Sequence, residues 1–111
     1  MTPEFSTDCS SLIRFEIKQA RGNEVFFIAC LDDNGCMVSA EAIARGNKHA
    51  VPALLSRASA GQMVLHNHPS GELTPSDADL DLASICRNNG IGFGIIDNDC
   101  QRCYLVVAPH T

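Results

Sequence analysis

The sequence predicts an α/β domain, a β-sheet with helices packed on its faces. Three observations carry this. Short β-branched and aromatic runs alternate with stretches of helical pattern, apolar residues make up 45% of the chain, and Gly, Asn or Pro punctuates the boundaries. At 111 residues the chain is one domain of ordinary size, with a core expected over about residues 12–108.

The elements follow in order. Between Leu12 and Lys18, Ile13, Phe15 and Ile17 alternate with Leu12, Arg14 and Glu16, the period-two signature of a half-buried strand. Arg21-Gly22-Asn23 is a turn, and the apolar run from Glu24 to Leu31 fits a central strand. Asp32-Asp33-Asn34-Gly35 predicts a hairpin, because Asn-Gly tolerates the positive φ angles of a tight turn, and Cys36 to Ala40 returns antiparallel. Glu41 to Lys48 has no clear pattern, with Gly46-Asn47 as a second turn.

His49 to Ala60 reads as a helix with Pro52 in its first turn and a stripe of Val51, Leu54, Leu55 and Ala58 facing the core. Gly61 stops it, and Gln62 to His66 is a short strand leading into His66-Asn67-His68. After the turn-rich Pro69 to Pro75, Ser76 and Asp79 form a capping-box pattern for a helix from Asp77 to about Asn88. Gly90 closes that helix. Strands at Phe93 to Ile96 and Tyr104 to Ala108 flank a turn at Asn98-Asp99, giving the order β-β-β-α-β-α-β-β. Leu12 to Lys18 and Tyr104 to Ala108 are the expected open sheet edges.

The formal charge of −5, with eight Lys and Arg and no basic cluster, argues against direct nucleic-acid binding by this domain. No apolar run approaches the roughly 20 residues of a membrane span. Six cysteines without a leader-like N-terminus, with Cys30 and Cys86 in apolar surroundings, point to reduced thiols in the cytoplasm. The abrupt end after a strand reads as a domain cut from a longer protein.

His66 and His68 are two apart, so at a strand end both side chains leave one face. Asp79 falls on the first turn of the next helix, and a loop doubling back through Gly71 would bring it to the same point. Two nitrogens and one oxygen, with one solvent molecule as fourth ligand, fit an open catalytic zinc sphere. Two such histidines are equally readable as polar loop residues. Zinc lowers the pKa of a bound water toward about 7, and a neighbouring carboxylate must then carry its proton. Glu24, opening an apolar strand, is the candidate, although a Glu there is also readable as a solvated strand end. Ser76 is either the helix cap or a hydrogen-bond donor to an oxyanion.

At His66-Asn67-His68-Pro69-Ser70-Gly71, followed by Pro75-Ser76-Asp77-Ala78-Asp79, the chain resembles the JAMM metalloprotease motif of the JAB/MPN superfamily, and in particular its RadC-like branch. The resemblance runs from Glu24 to Val107 and implies a mixed β-sheet flanked by helices, of the cytidine-deaminase-like JAB/MPN architecture. It implies zinc on His66, His68 and Asp79, with Ser76 polarising the substrate carbonyl and Glu24 as acid–base residue. The implied activity is hydrolysis of peptide or isopeptide bonds, including removal of a ubiquitin-like modifier from a protein conjugate. Asp97-Asn98 stands where RadC-like chains carry Asp-His, and Gly46-Asn47 where they carry Gly-Thr. These departures point to a neighbour of that branch in another setting, such as fusion to a bacterial helicase.

Two other classes fit parts of the sequence. A zinc deaminase needs a Pro-Cys-x-x-Cys ligand pair, and Cys100-Gln101-Arg102-Cys103 lacks the Pro and sits in a late turn. That lone pair has no second CxxC to complete a zinc knuckle. A non-catalytic interaction module of a DNA-repair or helicase-associated protein remains the alternative, opposed by the presence of all five candidate residues.

Overall fold

The computed structural model describes residues 4–46 and 51–110. Its elements are β1 (Glu4–Phe5), α1 (Thr7–Gln19), β2 (Val25–Leu31), β3 (Cys36–Arg45), α2 (Val51–Leu54) running into a 3₁₀ turn at Leu55–Arg57, β4 (Met63–Asn67), α3 (Asp77–Asn88), β5 (Gly92–Ile96) and β6 (Cys103–Val107). The strands form one mixed sheet in the order β1-β3-β2-β4-β5-β6. β4 is antiparallel to β2 and parallel to β5.

β2 is the central strand that the apolar run predicts, and its pleat divides the core. Val25, Phe27 and Ala29 pack with Cys9, Ile13 and Ile17 of α1 on one face. Phe26 packs with Val51, Leu55, Leu82 and Cys86 on the other, under α2 and α3. The α/β class with helices on both faces is therefore the observed architecture.

Leu12 to Lys18 is helix, not strand. Ile13 and Ile17 are four apart, which satisfies a period of two and a helical stripe equally. Phe15 separates the two, because a strand would bury it with its alternate neighbours, yet it is 58% exposed. Ser6 starts the helix by accepting the Cys9 N–H at 3.1 Å on its hydroxyl. The core thus begins at Cys9, before Leu12, and this segment is no sheet edge. The order is β-α-β-β-α-β-α-β-β.

Other boundaries moved less. β3 continues to Arg45, beyond Ala40, with irregular register against β2 at Phe26/Phe27 and Cys30/Leu31 that obscures the alternation in its sequence. In the hairpin only Gly35 takes a positive φ, 80°, while Asp32 Oδ1 accepts the N–H groups of Asn34 and Cys36. The helix expected over His49 to Ala60 ends at Arg57. Its first residues, His49 and Ala50, and Asn47 and Lys48 of the preceding segment lie outside the described residues. α3 keeps its expected limits, and β6 is the sheet edge expected at Tyr104 to Ala108. All six cysteines are free thiols, Cys30 being only half-buried. Among the described residues no helix is long and apolar enough to cross a membrane.

Candidate metal centre

β4 delivers His66 to the α2/α3 face of the sheet, where it is fully buried. Its ring stacks on its cross-strand partner Phe26, centroids 4.6 Å apart and 7° from parallel, and lies 5.3 Å from Phe93. His68 follows just past the strand end. Continued two positions past the Phe26/His66 pair, the antiparallel register puts Glu24, just before β2, on the side of His68. A strand end, a strand start and the N-terminus of α3 therefore meet at one place.

Asp79 reaches that place from the first turn of α3. Ser76 Oγ accepts the Asp79 N–H at 3.1 Å, and the Asp79 carboxylate accepts the Ser76 N–H at 2.9 Å, so the capping box is complete. The same carboxylate lies 2.9 Å from His66 Nε2 through Oδ1 and 2.8 Å from His68 Nε2 through Oδ2. Glu24 Oε2 is 3.7 Å from His66 Nε2. The ligating atoms of Glu24, His66 and His68 all fall within 4.8 Å of one another, a grouping able to hold a metal ion. Burial pushes the Asp79 pKa upward. Hydrogen bonds from His66 and the Ser76 N–H outweigh it and hold the carboxyl well below its ordinary range.

The proton arrangement tests whether these residues fit a cation. His68 Nδ1 lies 2.8 Å from the Glu72 carbonyl, which can only accept, so Nδ1 carries the hydrogen. In the neutral ring Nε2 then presents a lone pair to His66 Nε2 at 3.2 Å and to Asp79 Oδ2. Facing lone pairs in a poorly hydrated site repel unless a proton or a metal ion sits among them. The spacing of the nitrogens is close to the roughly 3.3 Å that neighbouring ligands adopt around a tetrahedral ion with bonds of about 2.0–2.1 Å. A carbonyl holding the second ring nitrogen is also the usual support of a metal-bound histidine. The residues fit.

All five residues singled out from the sequence lie along this stretch of the fold. Ser76 acts as the helix cap, with an exposed side chain. Sequence reasoning missed Asn67, which is fully buried and bonded on both sides of Glu24, and Glu72, whose carbonyl sets the His68 tautomer. Asn67 had a signal, a polar residue at an inward position of a strand. Glu72 acts through its backbone, which leaves none.

This sheet order, with a histidine pair at the end of an inner strand facing an aspartate at a helix start, defines a JAB-type domain. Residues 4–97 match the RadC-like JAB domain family, and the chain belongs to that family. The wider JAB superfamily includes metallohydrolases. Similar proteins include a UPF0758 protein of Rhodobacter capsulatus, 31% identical over an 87-residue alignment, with 71% of this chain and 41% of that relative covered. Another UPF0758 protein, of Ruegeria pomeroyi, is 34% identical over 88 residues, 71% of this chain and 39% of its own length. The chain therefore spans about two fifths of the curated relatives it matches.

Proposed function

We propose that this domain is a zinc-dependent hydrolase of peptide or isopeptide bonds, with His66, His68 and Asp79 as ligands. The observation that carries this is the convergence of His66 Nε2 and His68 Nε2, 3.2 Å apart, on the Asp79 carboxylate, with His68 Nδ1 against the Glu72 carbonyl. Bound zinc would supply Lewis-acid activation of a water and of the substrate carbonyl. Glu24, set back at 3.7 Å from His66 Nε2, accepts the proton of the attacking water and returns it to the leaving amine. The Ser76 hydroxyl accepts from the Asp79 N–H, which leaves its own hydrogen for the carbonyl oxygen as charge develops there.

The substrate class is a peptide or a protein conjugate, including one carrying a ubiquitin-like modifier, on which an amine is the leaving group. The net charge of −5 supports a domain that does not grip nucleic acid itself. Six free thiols support a cytoplasmic setting. The greater length of the relatives is consistent with fusion to a further domain, a helicase being one case.

The test combines metal analysis with one variant. The purified chain is expected to hold one zinc per molecule at neutral pH, and Glu24→Gln to bind zinc more weakly, yet reach one zinc per molecule at saturating metal, while losing hydrolysis of any substrate that the parent cleaves. A chain without stoichiometric zinc, or equal turnover in both proteins, would overturn the reading.

A further inference from the structure

Asn67 stands between the two histidines in sequence and sends its side chain to the opposite face of the sheet. It is completely buried, and its amide is fully engaged. Oδ1 accepts the Val25 N–H at 2.8 Å, and Nδ2 donates to the Asn23 carbonyl at 3.2 Å. Those two backbone groups flank Glu24. The second Nδ2 hydrogen goes to Asn98 Oδ1 at 2.8 Å, and Asn98 Nδ2 donates to the Pro69 carbonyl at 3.1 Å. Three segments are thereby tied together: the start of β2, the His66–Pro69 strand end and the loop between β5 and β6.

The position of these bonds matters. The described β2–β4 pairing ends at Phe26 with His66, so at Glu24 the backbone ladder no longer fixes the two strands. The Asn67 amide takes over there. Only an amide offers an acceptor and two donors in one rigid plane, and in a buried network each bond holds the others in orientation.

We propose that Asn67 is a positioning residue that sets Glu24 against the histidine pair, and that Asn98 holds Asn67 in that orientation. This rests on the assignment of Glu24, His66 and His68 to one metal centre. A carboxylate near the ion strengthens cation binding, so displacing Glu24 weakens it.

The test is a four-cornered zinc titration of the parent, Asn98→Ala, Glu24→Gln and the double variant, with amide hydrogen exchange on the zinc-loaded proteins. Asn98 is a partly exposed loop residue, and its truncation spares the core. Asn98→Ala is expected to weaken zinc binding about tenfold, the lower end of the loss when a supporting partner outside the ligand set is removed. In the Glu24→Gln background it should cause no further loss. The Val25 amide should exchange at least about tenfold faster in Asn98→Ala while Leu65 in β4 keeps its rate, which a general loss of stability would not allow. Asn67→Asp, which keeps the acceptor and drops both donors, should reproduce the faster exchange at Val25. Additive losses in the cycle, or an unchanged Val25 amide, would overturn the proposal. A protein that shows the cycle but hydrolyses nothing would sink the hydrolase reading and leave the role of Asn67 standing; a hydrolase with an additive cycle would do the reverse.

Discussion

Phe26 lies flat on His66 across the β2–β4 pair, while the buried Nδ1 of that histidine has no hydrogen-bond partner among the described residues. Beside its contact with Asp79, ring packing is what the described residues offer to orient His66, where His68 also has a hydrogen bond to the Glu72 carbonyl. Phe26→Leu keeps an apolar side chain but removes the flat surface. It is expected to cost about 1.5 kcal/mol of stability and to weaken zinc binding about tenfold. Phe26→Ala should cost about 3–5 kcal/mol. Urea unfolding and zinc titration measure the two effects, and unaltered zinc affinity in Phe26→Leu would show that the stack does not orient the ring.

Asp79 has a pH signature. Its folded pKa lies below the ordinary 3.8, so the carboxylate contributes stability that is fully present above that value and is lost as pH falls through the folded one. With a chelator present, Asp79→Asn should be less stable than the parent at neutral pH, and the gap should narrow as the pH is lowered below 3.8. A gap independent of pH between neutrality and about pH 3 would contradict this.

The thiols should react unequally. Burial, the main cause in each case, pushes the pKa of Cys9 and Cys86 up to about 11 and of Cys100 and Cys103 up to about 12. Alkylation of the folded protein near about pH 8 should therefore be slow at all four, since the thiolate is the reactive form. Cys9, Cys86 and Cys100 are also out of solvent, so partly exposed Cys30 should be modified before them. Mass spectrometry of a labelling time course checks the order, and uniform labelling of the native chain would refute it.

Gly92 marks where β5 comes closest to its surroundings. A Cβ there would collide with Met63 Sδ and lie 2.9 Å from Pro109 N. Gly92→Ala should destabilise the domain by about 1–3 kcal/mol through overpacking. Thermal unfolding reads this directly, and a melting temperature equal to the parent's would mean that β5 and the chain after β6 yield freely.

Legibility varied along the chain for physical reasons. α3 was readable because its capping box is a local exchange of two hydrogen bonds between Ser76 and Asp79. β2 was readable because a strand buried on both faces needs an unbroken apolar run. α1 was misread because Ile13 and Ile17 satisfy both periods, and only the packing of one face shows that Phe15 belongs outside. β3 was cut short because its bulged register breaks the alternation that would have announced it.

The same division holds at the site. Sequence alone determined the candidate donors, two imidazoles and two carboxylates, and that Ser76 caps the helix bearing Asp79, since residue identity and capping are local properties. Tertiary structure decided that Glu24 meets His66 from 42 residues away, that His68 turns its Nε2 inward, and that Asn67 clamps the backbone around Glu24. These outcomes depend on the register of β2 against β4 and on a carbonyl in a loop. Long-range pairing is set by the whole packed sheet and leaves no mark on any single stretch of residues.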